Sequence, residues 1–255
     1  MLKPMDEQKK PEPVVDEVPK GYYLIPELPS KGTVYPEGTK IYSRPLTVLE
    51  LKHLATMTEQ TADGVINEVL KGSVKGIDYR DLVVADKIFI IMWQRSNTYK
   101  GDRFGIEYVC PACGERDKYD FDSSMVEIPD VADDYSPDRE YDLGSAKVQL
   151  EQPRVRDVAR VVEFMEKHPD ADADILGKIA YRIWKVDGNE IGLEEAYDFC
   201  VNLPAPDFVK LNGVCAETEI SINPVVNVVC KHCSKAVPIG VSFRSDFFVP
   251  EYTGW

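Results

Sequence analysis

The segment "YVCPACGERDKYDF" (residues 108–121) sets Cys110 and Cys113 two residues apart, between stretches of strand-like alternation. A structural zinc takes four protein ligands in a tetrahedron, so this knuckle supplies half a site. The other half lies at "VVCKHCSKAV" (residues 228–237), where Cys230 and Cys233 repeat the spacing, again between strands. The 116 residues between Cys113 and Cys230 far exceed the spacer of a compact four-cysteine ribbon. One shared Zn2+, with the intervening chain looped out, completes both halves at once. Convergence of four thiolates on one zinc is worth on the order of 10 kcal/mol.

Other readings of these cysteines fit less well. A redox CxxC needs a strand-to-helix context that lowers a thiol pKa, and here strands follow both pairs. A catalytic zinc keeps one position open, which four cysteines do not. Pro111 and Gly114 suit a tight knuckle, because glycine accepts positive φ. The second knuckle, "CKHCS", lacks both, and its His232 sits inside the pair and is expected to face solvent. Cys200 and Cys215 fall in helical patterns and read as small buried apolar groups.

Composition narrows the partners. Lysine and arginine total 30 against 44 acidic residues, a net charge of −14, which repels nucleic-acid backbones unless a basic patch overrides it. The densest basic stretches, near the start and at "PRVRDVAR" (153–160), are interrupted by acids. No apolar run is long enough for a membrane span, and the opening residues lack the apolar centre of a signal peptide. The expectation is a protein of the cytosol, or one assembled there. His53 and His168 are isolated, no nucleophile motif or phosphate loop accompanies them, and Asp133/Asp134 lie in an acidic connection. The reading is non-enzymatic.

Around the knuckles the pattern is α+β. Residues 1–30, with prolines at 4, 11, 13, 19, 26 and 29, read as an extended arm. Residues 31–100 read as a helical unit. "TVLELKHLATM" carries a capping box, Thr47 with Glu50, and an apolar stripe of Leu51, Leu54 and Met57. A second helix spans 61–70. A third spans 79–96, and its "LVVADKIFIIMW" is apolar nearly all round, as a central buried helix must be. Residues 101–129 and 218–255 form zinc-ribbon-like β hairpins, the second with Val237, Ile239, Val241 and Phe243 on one face. Between them, 130–217 reads as a strand, "AKVQLEQP", followed by four helices: "PRVRDVARVVEFMEKH", "ADILGKIAYRIWKV", "GLEEAYDFCVNL" and "PAPDFVKLNGVCAE". The terminal "SDFFVPEYTGW" holds Phe247, Phe248, Tyr252 and Trp255, which either pack back onto their own domain or insert into a neighbour.

In order along the chain, "LPSKGTVYPEG", "RPLTVLELKHL", "DKIFIIMWQRSNTYKGDRFGIEYVCPACGE" and the "CKHC" hairpin ending in "FRSDFFVP" resemble the baseplate hub and hub-assembly proteins of T-even-type contractile-tailed bacteriophages. The resemblance covers about residues 28–128 and 222–250. The helical insert, "VQLEQPRVRDVARVVEF" through "EEAYDFCVNLPAPDFVKL", is similar to phage tail assembly chaperones. These resemblances imply a tail component that binds hub, tube or tape-measure proteins within a symmetric multi-subunit assembly. It would reside in the virion's tail baseplate after assembly in the host cytoplasm, touching neither nucleic acid nor membrane. Two alternatives stand beside that reading: a chaperone absent from the mature virion, and a zinc-ribbon nucleic-acid binder using Arg116, Lys118, Lys231 and Lys235.

Overall fold

The computed structural model describes residues 18, 20–99, 103–122, 135–222 and 225–249. Most of the arm, the connection holding Asp133 and Asp134, and Tyr252 and Trp255 lie outside these residues.

The chain opens with β1 (Tyr23–Leu24) and β2 (Tyr42–Ser43). Then come α1 (Val48–Ala55), α2 (Ala62–Ser73), β3 (Val74–Lys75), a 3-10 turn (Tyr79–Asp81) and α3 (Val84–Tyr99). The three strands pair antiparallel in the order β1-β2-β3, so the N-terminal unit is helical with a small sheet on one side. The expected start of the first helix is realised. Thr47 Oγ1 accepts from the Glu50 amide at 3.3 Å, and Glu50 Oε2 accepts from the Thr47 amide at 2.8 Å. Each bond satisfies a donor that the first helical turn leaves open. Arg44 grips the same carboxylate with both terminal nitrogens, at 2.9 and 2.8 Å. Leu54 and Met57 of the stripe are buried. Ile25 and Ser30, within the expected arm, are buried.

α3 is the central helix, and its few polar residues explain how it can be. Asp86, Gln94 and Arg95 are all buried, and each is hydrogen-bonded, as burial of a polar group requires. Asp86 accepts from the Ser30 amide (3.0 Å), the Ser30 hydroxyl (2.6 Å) and the Tyr35 hydroxyl (2.6 Å). Gln94 donates to Ser43 Oγ and Ser73 Oγ at 2.9 and 2.7 Å, fastening β2 to the end of α2. Arg95 Nε donates to the Phe247 carbonyl at 2.8 Å, and the Tyr99 hydroxyl donates to the Phe248 carbonyl at 2.9 Å.

Next come two seven-residue strands, β4 (Arg103–Val109) and β5 (Arg116–Asp122), paired as an antiparallel hairpin around the first knuckle. The insert follows. It holds β6 (Glu140–Asp142), β7 (Lys147–Leu150), α4 (Val155–Lys167), α5 (Ala173–Lys178), a 3-10 turn (Ala180–Arg182), β8 (Ile183–Val186), β9 (Asn189–Glu190), α6 (Leu193–Asn202) and α7 (Ala205–Thr218). Here the structure corrects the sequence reading. "ADILGKIAYRIWKV" is not one helix: it stops after Lys178 and becomes strand β8. Asp187 and Gly188 then adopt positive φ, +48° and +78°, the backbone that a two-residue hairpin turn demands. The insert is therefore a four-stranded antiparallel sheet, β6-β7-β8-β9, with helices.

The chain returns through β10 (Val225–Val229) and β11 (Ala236–Gly240), a second antiparallel hairpin, and ends its described course in α8 (Ser245–Phe248). Phe247 and Phe248 are buried, so this part of the tail packs back onto its own chain.

Three cores result. The largest joins Leu54, Leu70 and Ile90 of the N-terminal unit to Phe121, Val155, Ile222, Val241 and Phe248, so both junctions of the insert rest on that unit. The second, inside the insert, surrounds Val148, Leu176 and Leu211 and includes Cys200 and Cys215. The third lies between the two hairpins. The insert is pinned by backbone bonds in both directions, Val155 N–H to the Leu82 carbonyl (2.9 Å) and Val84 N–H to the Pro153 carbonyl (2.8 Å). Arg154 adds bonds to the Asp81 and Val34 carbonyls. Arg182, fully buried, donates to the carbonyls of Glu151 and Cys215 and to Thr218 Oγ1. Two of these acceptors lie in the last turn of α7, where the helix dipole favours a cation.

Candidate metal centre

The two knuckles are built alike. In the first, the Cys110 amide donates to the Glu115 carbonyl (2.9 Å) and the Gly114 amide to the Cys110 carbonyl (2.8 Å). In the second, the Cys230 amide donates to Lys235 (2.9 Å) and the Ser234 amide to Cys230 (2.9 Å). The tight turn needs a left-handed residue after its second cysteine. Gly114 supplies it at φ +75°, and Ser234 adopts it at +58° despite its side chain. The second knuckle lacks the glycine of the first, and its serine takes on the same conformation.

Face to face, the hairpins bring the four sulfurs together. Cys110 Sγ lies 3.7 Å from Cys233 Sγ, and Cys113 Sγ lies 3.8 Å from Cys230 Sγ. All four fall within 4.8 Å of one another. A disulfide would hold its sulfurs at about 2.05 Å; these cysteines are free. A tetrahedron with metal–sulfur bonds of about 2.3 Å has sulfur–sulfur edges of roughly 3.8 Å. The donor set therefore fits one ion, and four sulfurs in that arrangement suit zinc or iron. Cys110 and Cys230 are buried, while Cys113 and Cys233 keep contact with solvent. Val228, Val237 and Ile239, with Ile106, Tyr108 and Tyr119, wall the inner side.

Backbone amides set the electrostatics. Burial opposes ionisation of Cys110, but the amides of Ala112 and Cys113, together with the thiols of Cys113 and Cys230, outweigh it and bring that thiol down to about 7. Cys230 is likewise lowered, by the amides of Cys233 and His232. At Cys113 the Glu115 amide favours the thiolate, yet burial and the three neighbouring sulfurs prevail and push it up to about 12. Four thiols this close cannot all ionise without a cation among them.

The remaining expected residues fall where the sequence put them. His232 is exposed. Cys200 and Cys215 are buried in the insert, and burial pushes their thiols up to about 12 and about 11. Beside the centre, Lys231 Nζ reaches Asp117 Oδ1 at 3.3 Å, tying the second knuckle to the first hairpin. The sequence reading missed the buried polar residues Asp86, Arg95 and Arg182. One signal was present for Asp86, an acid in the midst of an apolar helical run.

Fold and centre together define a class: an α+β protein whose two distant hairpins are joined by paired cysteine knuckles. A family described as T4 bacteriophage base plate protein matches residues 22–249. The chain belongs to that family, and so is a T4-type phage baseplate protein, a component of the viral tail. No curated protein and no solved structure matches it. Among the described residues, no helix is long and apolar enough to cross a membrane.

Proposed function

We propose that the chain is a non-enzymatic structural component of the baseplate hub, binding other tail proteins, with one Zn2+ held by Cys110, Cys113, Cys230 and Cys233. The observation that carries this reading is the family match over nearly the whole length. The zinc supplies no chemistry to a substrate: four sulfur ligands leave it no open position, and its role is to hold two hairpins together. On this reading the body divides at about residues 31–100, 101–129 with 218–255, and 130–217, and the surfaces these parts present to hub, tube or tape-measure proteins carry the function.

Mass spectrometry of purified virions tests it, with the chain expected in the tail at a fixed copy number. Its absence from particles, with soluble complexes on a tape-measure or tube protein, moves the function to assembly chaperone. The nucleic-acid alternative is disfavoured by the first hairpin, where Arg116 and Lys118 alternate with Asp117 and Asp120.

A further inference from the structure

The two hairpins of the metal centre turn different faces outward. On β4–β5 the exposed positions among the described residues are Gly105, Glu107, Val109, Arg116, Lys118 and Asp120, a mixed surface in which four of the six are charged. On β10–β11 they are Val225, Asn227, Val229, Ala236, Pro238 and Gly240. Val225 and Val229 are 42% and 68% exposed. The register sets Val225 opposite Gly240, Asn227 opposite Pro238 and Val229 opposite Ala236, so these six form one continuous uncharged face. The inner side chains Val228, Val237 and Ile239 are already used in the core beneath. The hairpin is thus apolar on both sides, a pattern expected of a sheet covered on both faces.

The charge around this face is equally unusual for the chain. No carboxylate occurs between Glu219 and Asp246. At the chain's average density, a stretch of those 26 residues would hold four or five. Lys231 and Lys235 stand exposed at its tip; Lys231 meets Asp117, and Arg244 meets Asp246 at 3.7 Å. The hairpin's own tip charges, Lys231 and Lys235 against a half share of about −1 from a four-thiolate zinc centre, leave it about +1, part of which Asp117 of the first hairpin already meets at Lys231. Among the described residues the sheet contains β10 and β11 alone, so each strand also has one main-chain edge outside the ladder, where an extended segment can add.

We propose that the outer face of β10–β11 is a docking surface for an extended acidic-aliphatic segment of a neighbouring tail protein. Its aliphatic residues cover Val225 and Val229, and its carboxylates meet Lys235 and share Lys231 with Asp117. Complementary charge and chemistry select this occupant. A stable free dimer needs roughly 800 Å² per partner and about twenty residues a side, and this face offers six, so it serves as one contact among several in an assembly. The inference rests on the scaffold reading above for the source of the segment, but not for the chemistry of the face.

The test titrates the full-length, zinc-loaded chain into a labelled peptide alternating valine with aspartate and glutamate. The expected result is saturable, salt-sensitive binding, weakened about tenfold or more by the pair V225E and V229E and by the pair K231E and K235E. Unchanged metal content and thermal unfolding show that the variants remain folded; should the glutamate pair fail that control, V225T with V229T replaces it. Absence of saturation, or equal binding by the face variants, overturns the proposal. So does an oligothymidylate that binds more tightly than the peptide and is lost with the same substitutions, which would assign the face to nucleic acid. In assembling tails, a V225E/V229E chain that enters particles as well as the parent refutes the face and leaves the scaffold role standing. If the parent itself enters no particle, the scaffold role fails and the peptide titration still decides the face.

Discussion

The metal centre makes a prediction that geometry alone sizes. A tetrahedron's edge is about 1.63 times its radius, so the two opposite edges of 3.7 and 3.8 Å match an ion about 2.3 Å from each sulfur, and the other four edges, all within 4.8 Å, would close to the same length around it. The chain is freed of metal with a chelator under reducing conditions, reloaded with one equivalent of zinc, and measured by X-ray absorption at the zinc edge. The expected spectrum has a single shell of four sulfurs at about 2.3 Å. Cys113→Ser should replace one sulfur scatterer by oxygen or release the ion, whereas Cys200→Ser, in a separate core, should leave the shell intact. Removing the metal should also lower the unfolding midpoint, because each two-stranded hairpin is marginal on its own. Nitrogen or oxygen in the first shell of the parent, two ions per chain, or a sulfur–sulfur distance near 2.05 Å would refute the shared site.

Other expectations follow from particular residues. Phe248→Ala removes a ring only 1% exposed and should cost about 3–5 kcal/mol in urea unfolding; a loss under about 1 kcal/mol would mean that α8 is not part of the main core. Ser234→Gly relieves a left-handed serine at φ +58°. It should stabilise the chain by up to about 1 kcal/mol, since glycine's greater unfolded-state entropy offsets part of the relief; any destabilisation contradicts the geometry. Burial holds the Asp86 carboxyl above its usual range. A carboxyl raised in the folded state contributes stability below the unfolded value, about 3.9, and loses it as pH rises through the folded value. Asp86→Asn should therefore gain on the parent as pH rises from about 4, and parallel pH profiles of the two would exclude this role.

Much of this arrangement is written locally in the chain. Thr47 and Glu50 announce a helix start because both halves of the capping box lie within four residues. The cysteine pairs announce their partners because two ligands make half a tetrahedron. The insert was harder to read. "AYRIWKV" mixes residues at home in either a helix or a strand, and its conversion to β8 is decided by the Asp187-Gly188 turn and by pairing with β7, thirty-odd residues upstream. Strand β6, "EYD", is short and polar, and only its pairing with β7 makes it a strand. The buried charges were hidden for a related reason. Arg95 and Arg182 are satisfied by carbonyls of residues far along the chain, and no local pattern reports a partner that distant.

The separation of the two knuckles also orders events during synthesis. Cys110 and Cys113 leave the ribosome with no sulfur partners, and Cys230 follows only after the 116 intervening residues have been made. Until then the first pair can hold an incoming ion with two bonds at most. A chain interrupted anywhere in the insert, or one whose insert fails to bring its ends back together, leaves that pair half-filled. A metal bound by all four sulfurs would therefore require that the chain between the knuckles had been made and folded with its two ends side by side.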